Sequence, residues 1–423
     1  MMIRRADGGL SPCARPLAYP DHSGVTSPGE KDRLLKEEGP VHGAPGHNLL
    51  IKAPNWLGDL VLFTPALRAL RTSFPDSGLC VVGNSATRDI VALSGIEVEY
   101  VYFDRHGARP APEAEAPSGG SSAANGTAPS PENGWMGRSR TVGALRARPW
   151  DAGITFAEGF SSALLLRLAG ARRVFGYRGD GRRLLLSTAL PRERIGRRPH
   201  LVTEYLELAR AAGAVPGQRT PSFEMPEETL RAGRKILEDF RLLSGMPIVG
   251  LCPGSEYGPS KRWPADRFSE TGSRLADAGA KIAVFGAPSE RTLAEEVARR
   301  IEGAESLAGR TSVIGLGACL ASCDAVVAND SGAAHLAAAV GTPVVALFTS
   351  SDPEWTRPQG AEVRVMRADV DCAPCFNREC DLGYPCLTGI SPGQVSETVL
   401  FLVKRGLRKP HGNHRASGRP GHG

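Results

Sequence analysis

"IKAPNWLGDLVLFTPALRAL" (residues 51–70) is the stretch whose reading decides the fold. It opens inside an apolar run, Leu49–Ala53, of the length and composition of a buried strand. Beyond it Leu60, Phe63, Leu67, Leu70 and Phe74 recur at spacings of three and four, which is one face of a helix. A strand that passes into a helix over a short loop begins a βα unit, and Gly58 permits the tight turn. Pro65 falls inside the helical pattern, so the helix either kinks there or starts at about Thr64. Asp59, an acid set directly after that glycine, is the residue the stretch leaves to be explained.

The same alternation continues outward. Further strand-like runs are Leu79–Val82, Val98–Phe103 and Ala152–Phe156, then Ile248–Cys252, Lys281–Phe285, Ala325–Ala328 and Pro343–Phe348. Helical patterns over Ala265–Ala278, Glu290–Ile301, Thr311–Ser322 and Ser331–Val340 fill the gaps of the second half. Strand, helix, strand repeated in both halves predicts an α/β protein with two doubly wound, Rossmann-like parallel sheets. Two such domains leave a cleft between the carboxyl ends of their strands, where ligands bind in this architecture.

We place the domain joint in the Gly- and Pro-rich segment Pro216–Pro226, giving domains of 47–225 and 226–403. Residues 1–46 and a low-complexity insertion at 107–137 have the composition of disordered segments. So does a basic tail at 404–423. The chain's 423 residues, 41% of them hydrophobic, suffice for two cores. Its net charge of +6 is local: the tail holds six Lys/Arg and no acid, and the remainder balances at 45 against 45. Charge therefore gives no reason to expect a nucleic-acid partner.

Arg4-Arg5 is followed by Gly, Ser and Pro rather than an apolar run, so no secretory or twin-arginine signal is expected. The longest apolar tract, near Leu336–Phe348, is broken by Gly341, Thr342 and Pro343 and is too short to span a bilayer. Five of the nine cysteines are scattered singly, as in a reduced, cytoplasmic protein.

The second-half strand ends read as one constellation. After Ile248–Cys252 comes "PGSEYGPSKRWP", with Ser255 and the adjacent cations Lys261 and Arg262. After Lys281–Phe285 comes "GAPSE", ending in Glu290. After Ala325–Ala328 comes "NDSGAAH", where Asn329 or Asp330 can cap a helix whose Ser331, Gly332 and Ala333 amides face outward at its positive end. Free amides, a hydroxyl and a glycine make a seat for a phosphate, and His335, one turn on, can donate to it. Each piece alone has a plainer reading, a capped helix or a solvated lysine. Three strand ends of one sheet together offer phosphate ligands and a carboxylate suited to ribose hydroxyls. The absence of GxGxxG after the first strand argues against a dinucleotide oxidoreductase, and a nucleotide-diphosphate ligand fits better.

"APNWLGDLVLFTPALRAL", "PGSEYGPSKRWPADRF", "NDSGAAHLAAAVGTPVVALFTSSDPEWTRP" and "DCAPCFNREC" resemble the lipopolysaccharide heptosyltransferases of glycosyltransferase family 9, most closely their type II members. The resemblance runs from about Leu49 to Leu402 in consistent order. It implies a GT-B fold, ADP-L-glycero-D-manno-heptose as donor, and inverting transfer without metal or cofactor. The implied acceptor is the heptose already on Kdo-lipid A, at the inner face of the inner membrane. The resemblance gives Asp59 the role of base and Glu290 that of ribose acceptor.

Inverting transfer needs a carboxylate that takes the acceptor's proton and a cation where the leaving diphosphate gathers charge. Asp59 beside a helix N-terminus is expected to stay ionised at neutral pH, and the alternative is a helix cap. Lys261 is the candidate cation, with Ser255, Asp330, Ser331, Gly332 and His335 as donor-binding residues beside Glu290. Residues 167 to 198 hold ten arginines against Asp180 and Glu193, and no lysine. We read Arg178, Arg182 and Arg183 there as a docking surface for an anionic glycolipid, with a solvated charged face as the alternative. Cys372, Cys375, Cys380 and Cys386, spaced C-x2-C-x4-C-x5-C, allow a zinc knuckle, but the reaction has no use for a metal and reduced structural thiols are the preferred reading. Asp369-Val370-Asp371 abuts this loop rather than a nucleotide site and carries little weight. Rival functions are transfer to another acceptor as in types I and III, a nucleotide-sugar epimerase, and a non-catalytic nucleotide-sugar binder.

Overall fold

The computed structural model describes residues 48–103, 135–193, 196–360 and 362–408. The N-terminal extension, most of the insertion and the last residues of the tail lie outside them.

The first half forms one six-stranded sheet in the order β3-β2-β1-β4-β5-β6. Its strands are β1 (Asn48–Lys52), β2 (Gly78–Gly83), β3 (Glu99–Tyr102), β4 (Ala152–Thr155), β5 (Arg173–Tyr177) and β6 (Thr188–Leu190). All are parallel, with β1 central between β2 and β4. Helices α1 (Leu57–Ser73), α2 (Ser85–Ser94), α3 (Trp135–Arg146), α4 (Phe160–Leu168) and α5 (Leu201–Ala211) connect them. Leu49, Ile51, Phe63, Leu67 and Tyr205 bury one face of the sheet, while Leu50, Val82, Trp150 and Leu166 bury the other. Strands covered on both sides need no polar alternation, which is why they read as continuous apolar runs.

The second half repeats the plan. Its strands are β7 (Ile248–Cys252), β8 (Lys281–Val284), β9 (Glu305–Ser306), β10 (Ala325–Asn329), β11 (Val344–Leu347) and β12 (Val363–Met366). They are parallel, in the order β12-β11-β10-β7-β8-β9. The helices are α6 (Glu227–Asp239), α7 (Ala265–Asp277), α8 (Arg291–Arg299), α9 (Val313–Ala321) and α10 (Gly332–Ala339), followed by α11 (Pro353–Thr356), α12 (Pro385–Thr388) and α13 (Pro392–Arg408).

Several expectations shift. Helix α1 runs unbroken through Pro65, so Asp59 is in its first turn rather than ahead of a helix that starts at Thr64. The Val61 carbonyl, which the missing Pro65 N–H leaves without its helical donor, accepts from Thr64 Oγ1 at 2.8 Å instead. Helix α3 begins at Trp135, inside the expected insertion, and α13 continues past residue 403 to Arg408, where Arg405 pairs with Glu362. Strands β5, β6, β9 and β12 were not expected: β6 and β9 are two or three residues long, and β9 and β12 are edges.

In both sheets the chain winds outward from its first strand and then returns to that strand's other side. The reversal lies between β1 and β4 in one domain and between β7 and β10 in the other. In sheets of this kind the loops that leave such strands carry the ligand site.

Candidate active site

Asp59, Ser255, Lys261 and Asp330 follow β1, β7 and β10 of those four strands, and Glu290 follows the neighbouring β8. The loop after β1 reaches α1 at Leu57, and Asp59 is its third residue. Trp56 holds the cap position with no side-chain cap bond, and Asp59 makes no capping bond either, so the alternative of a cap is not what this carboxylate does. The loop is fixed from behind: Lys52 Nζ donates to Ala53 O and Asn55 Oδ1, and Asn84 Nδ2 donates to Asn55 O.

Burial raises the Asp59 carboxyl from 3.8 to about 7, Glu158 and Asp330 push the same way, and Lys261 and Arg192 oppose them. The expectation that Asp59 is held firmly ionised by the helix dipole is therefore corrected. A helix N-terminus is worth about 0.3–1 kcal/mol, and burial beside two other acids outweighs it. Because Lys261 and Asp330 belong to the second domain, their fields on Asp59 put this carboxyl at the face between domains.

Across the cleft, Lys261 ends a 3-10 turn, Pro259–Lys261, after β7. Its ammonium pairs with Asp330 Oδ2 and lies 4.7 Å from the Tyr257 ring centre. Asp330 also accepts from Ser351 Oγ. Burial works to raise the Asp330 carboxyl, but Lys261, His335 and these hydrogen bonds outweigh it and hold the group below the usual range.

Neither Asn329 nor Asp330 caps α10, as had been expected; the cap position is Ser331, without a side-chain bond. Asn329 belongs to β10 and clamps the β7 loop, donating to Pro253 O and accepting from the Trp263 amide. Asp330 is occupied by Lys261. Ser331 Oγ is buried and unpartnered, a hydroxyl with nothing of the protein to bond.

Ser255 is buried on the β7 loop, where its carbonyl accepts from Arg262 Nε. Glu290 follows β8, and its carboxylate lies so close to Gly254 that a Cβ there would fall 2.1 Å from Oε1. It also accepts from the Ala287 amide at 2.9 Å. Ser255, Glu290, Lys261 and Asp330–Ser331 thus gather on three adjacent strands, β8, β7 and β10.

Gly332 had been expected to leave room for a phosphate. Its bare face is instead covered by Leu57 of the other domain, 2.6 Å from where a Cβ would stand. His335 had been expected to donate to a phosphate. It is buried with its ring against Gly58, and burial pulls its imidazole down to about 4, so it is neutral at pH 7.

The arginine surface separates into internal and external members. Arg182 is 1% exposed and donates to Tyr177 O and Ala157 O, which removes it from any docking surface. Arg183, its neighbour, is exposed, and Arg178 is half-buried with Nε on Ala189 O.

Sequence reasoning missed the charges behind Asp59. Arg192 Nη1 pairs with Glu158 at 2.7 Å and Nη2 with the buried Glu204 at 3.4 Å, while its guanidinium lies over the Tyr177 ring. Glu158 follows β4 at the switch point, so applying the strand-end rule to the first half would have found it. Glu204, in the first turn of α5 and not at a strand end, carries no such signal.

A base on one wall and a paired cation on the other fit displacement of a diphosphate from a sugar. The family model described as glycosyltransferase family 9 (heptosyltransferase) matches residues 138–384. Lipopolysaccharide heptosyltransferase 2 of Salmonella typhimurium is 28% identical over 367 residues, 84% of this chain and 98% of that one. Lipooligosaccharide heptosyltransferase 2 of Haemophilus influenzae is 27% identical over 331 residues, 76% of this chain and 88% of its own. The structure of E. coli ADP-heptose LPS heptosyltransferase II superposes with a TM-score of 0.67 at 25% identity, covering 85% of this chain and 99% of that one.

Proposed function

From the premise that this chain belongs to glycosyltransferase family 9 and is a glycosyltransferase, we propose that it moves heptose from ADP-L-glycero-D-manno-heptose to the first heptose of the Kdo-lipid A inner core. The relatives' names, heptosyltransferase 2, support type II rather than I or III.

Asp59 takes the proton of the acceptor hydroxyl as that oxygen attacks the anomeric carbon from the face opposite ADP. A carboxyl raised to about 7 is ionised in a large fraction at neutral pH and is a far stronger base than an ordinary aspartate. Lys261 turns part of its charge from Asp330 to the departing β-phosphate. The Ser331 hydroxyl and the first amides of α10 hold the same diphosphate, Ser255 lines its loop, and Glu290 accepts from the ribose. His335, being neutral, positions Gly58 and the Asp59 loop rather than neutralising charge. Arg178 and Arg183 bind the acid groups of the acceptor, which brings the first domain against the inner face of the inner membrane.

The observation that carries this reading is that Gly58, next to Asp59, packs on His335, which lies 4.0 Å from the Asp330 carboxylate that holds Lys261. Incubation with ADP-heptose and heptosyl-Kdo2-lipid A should yield diheptosyl product and stoichiometric ADP. ADP release without acceptor, or epimerised donor without transfer, overturns it.

A further inference from the structure

The segment between β12 and α12 is the least explained part of the second domain. From Asp369 to Pro385 not one residue is fully buried, and from 367 to 384 there is neither helix nor strand. Fixing each backbone residue costs about 1–2 kcal/mol, and this stretch has no apolar core of its own to offset that. It nevertheless packs on the loop that carries Lys261. Ser350 O accepts from the amides of Cys375 and Phe376, Ser260 N donates to Arg378 O, and Tyr257 OH donates to Phe376 O. Tyr257 in turn has Lys261 and Arg378 over its ring, at 4.7 and 5.3 Å.

The segment's three cysteines, Cys372, Cys375 and Cys380, and Cys386 at the start of α12 line a single cavity of about 20 Å³ beneath Ser260 and Ser350. Room for about one water-sized sphere is room for one metal ion.

We propose that these four cysteines form a tetrathiolate site for one structural, thiophilic divalent ion, the chemistry that zinc and ferrous iron share. Among the described residues no three His, Cys, Asp or Glu side chains stand in ligating geometry. Ligation therefore requires the four side chains to turn into the cavity that they line. Each thiol that ligates gives its proton to solvent, and the metal keeps its charge. The ion supplies the cross-link that the missing core cannot, and through Tyr257 and Ser260 it braces Lys261. It takes no part in the transfer step, and the inference stands apart from the proposed reaction.

The test is elemental analysis of the reduced protein, purified without a metal resin. About one equivalent of zinc or iron per chain is expected, and the elemental analysis itself tells the two apart. Stripping the metal with a chelator should lower Tm, and added Zn2+ should restore it. Ellman's reagent should modify these thiols in the stripped protein and spare them once Zn2+ is bound. C375S/C380S should lose the metal. Two results overturn the proposal: reduced protein that neither retains metal nor binds Zn2+ at micromolar concentration, with thiols equally reactive with and without it; or a serine variant that keeps a full equivalent. The thiol protection measured on the wild-type chain decides even if the variant fails to fold.

Discussion

His335 occupies the space that a side chain on Gly58 would need: a Cβ there would lie 2.8 Å from the imidazole Cδ2. The two residues come from different domains, and the next residue after the glycine is Asp59. Gly58→Ala should therefore push α10 away from the Asp59 loop. A displacement of about 1 Å at a reacting centre lowers turnover about 100-fold, so kcat should fall by that order in steady-state assays while donor KM changes little. A Gly58→Ala enzyme with normal kcat would show that the contact does not set the cleft.

Asp59→Asn should lower kcat about 100- to 10,000-fold, the range of a positioned general base, with donor binding retained in calorimetry. In the wild type, kcat/KM should climb as pH rises through about 7, because only the carboxylate accepts a proton. Loss of that acid limb in the variant is the companion result.

The same group makes a prediction of opposite sign for stability. Its folded value is raised above 3.8, so its contribution is fully present below about 4 and is lost as pH rises through about 7. Asp59→Asn, which carries no charge, should then melt higher than the wild type at pH 8 and level with it near pH 4. Thermal scans at the two pH values check this.

Lys261→Ala leaves Asp330 buried without its cation. Removing one partner of a buried pair costs about 3–5 kcal/mol, which chemical denaturation should register alongside the loss of transfer. Lys261→Met with Asp330→Asn should recover most of the stability and none of the activity, separating the pair's structural part from its catalytic one.

Arg182→Ala and Arg183→Glu should part company. The first strips hydrogen bonds from Tyr177 O and Ala157 O, a loss of about 2 kcal/mol, visible as a lower Tm. The second should raise acceptor KM about tenfold, roughly 1.4 kcal/mol, and leave Tm and donor KM unchanged.

The fold was legible wherever a strand is long and covered on both faces, as at Leu49–Ala53 and Ile248–Cys252. Short strands such as β6 and β9 leave too few residues for a period to show. In the site, residues that follow a strand announce themselves, which is how Asp59, Lys261 and Asp330 stood out. What a neighbouring element does to them stayed hidden. Nothing local says that Leu57 covers Gly332, that Arg182 turns inward, or that burial beats the helix dipole at Asp59. Those are relations between segments distant in sequence, set only once the two sheets face each other.

The glycine contacts also run both ways: Leu57 of the first domain fills the void at Gly332, and His335 of the second fills the void at Gly58. Two dovetailed joints in opposite directions make the halves a matched pair. A hybrid that joins the acceptor half of one family member to the donor half of another would seat properly only when both mortises find the tenons they were cut for. Sequence drift at any of these four positions is thereby tied to its opposite number.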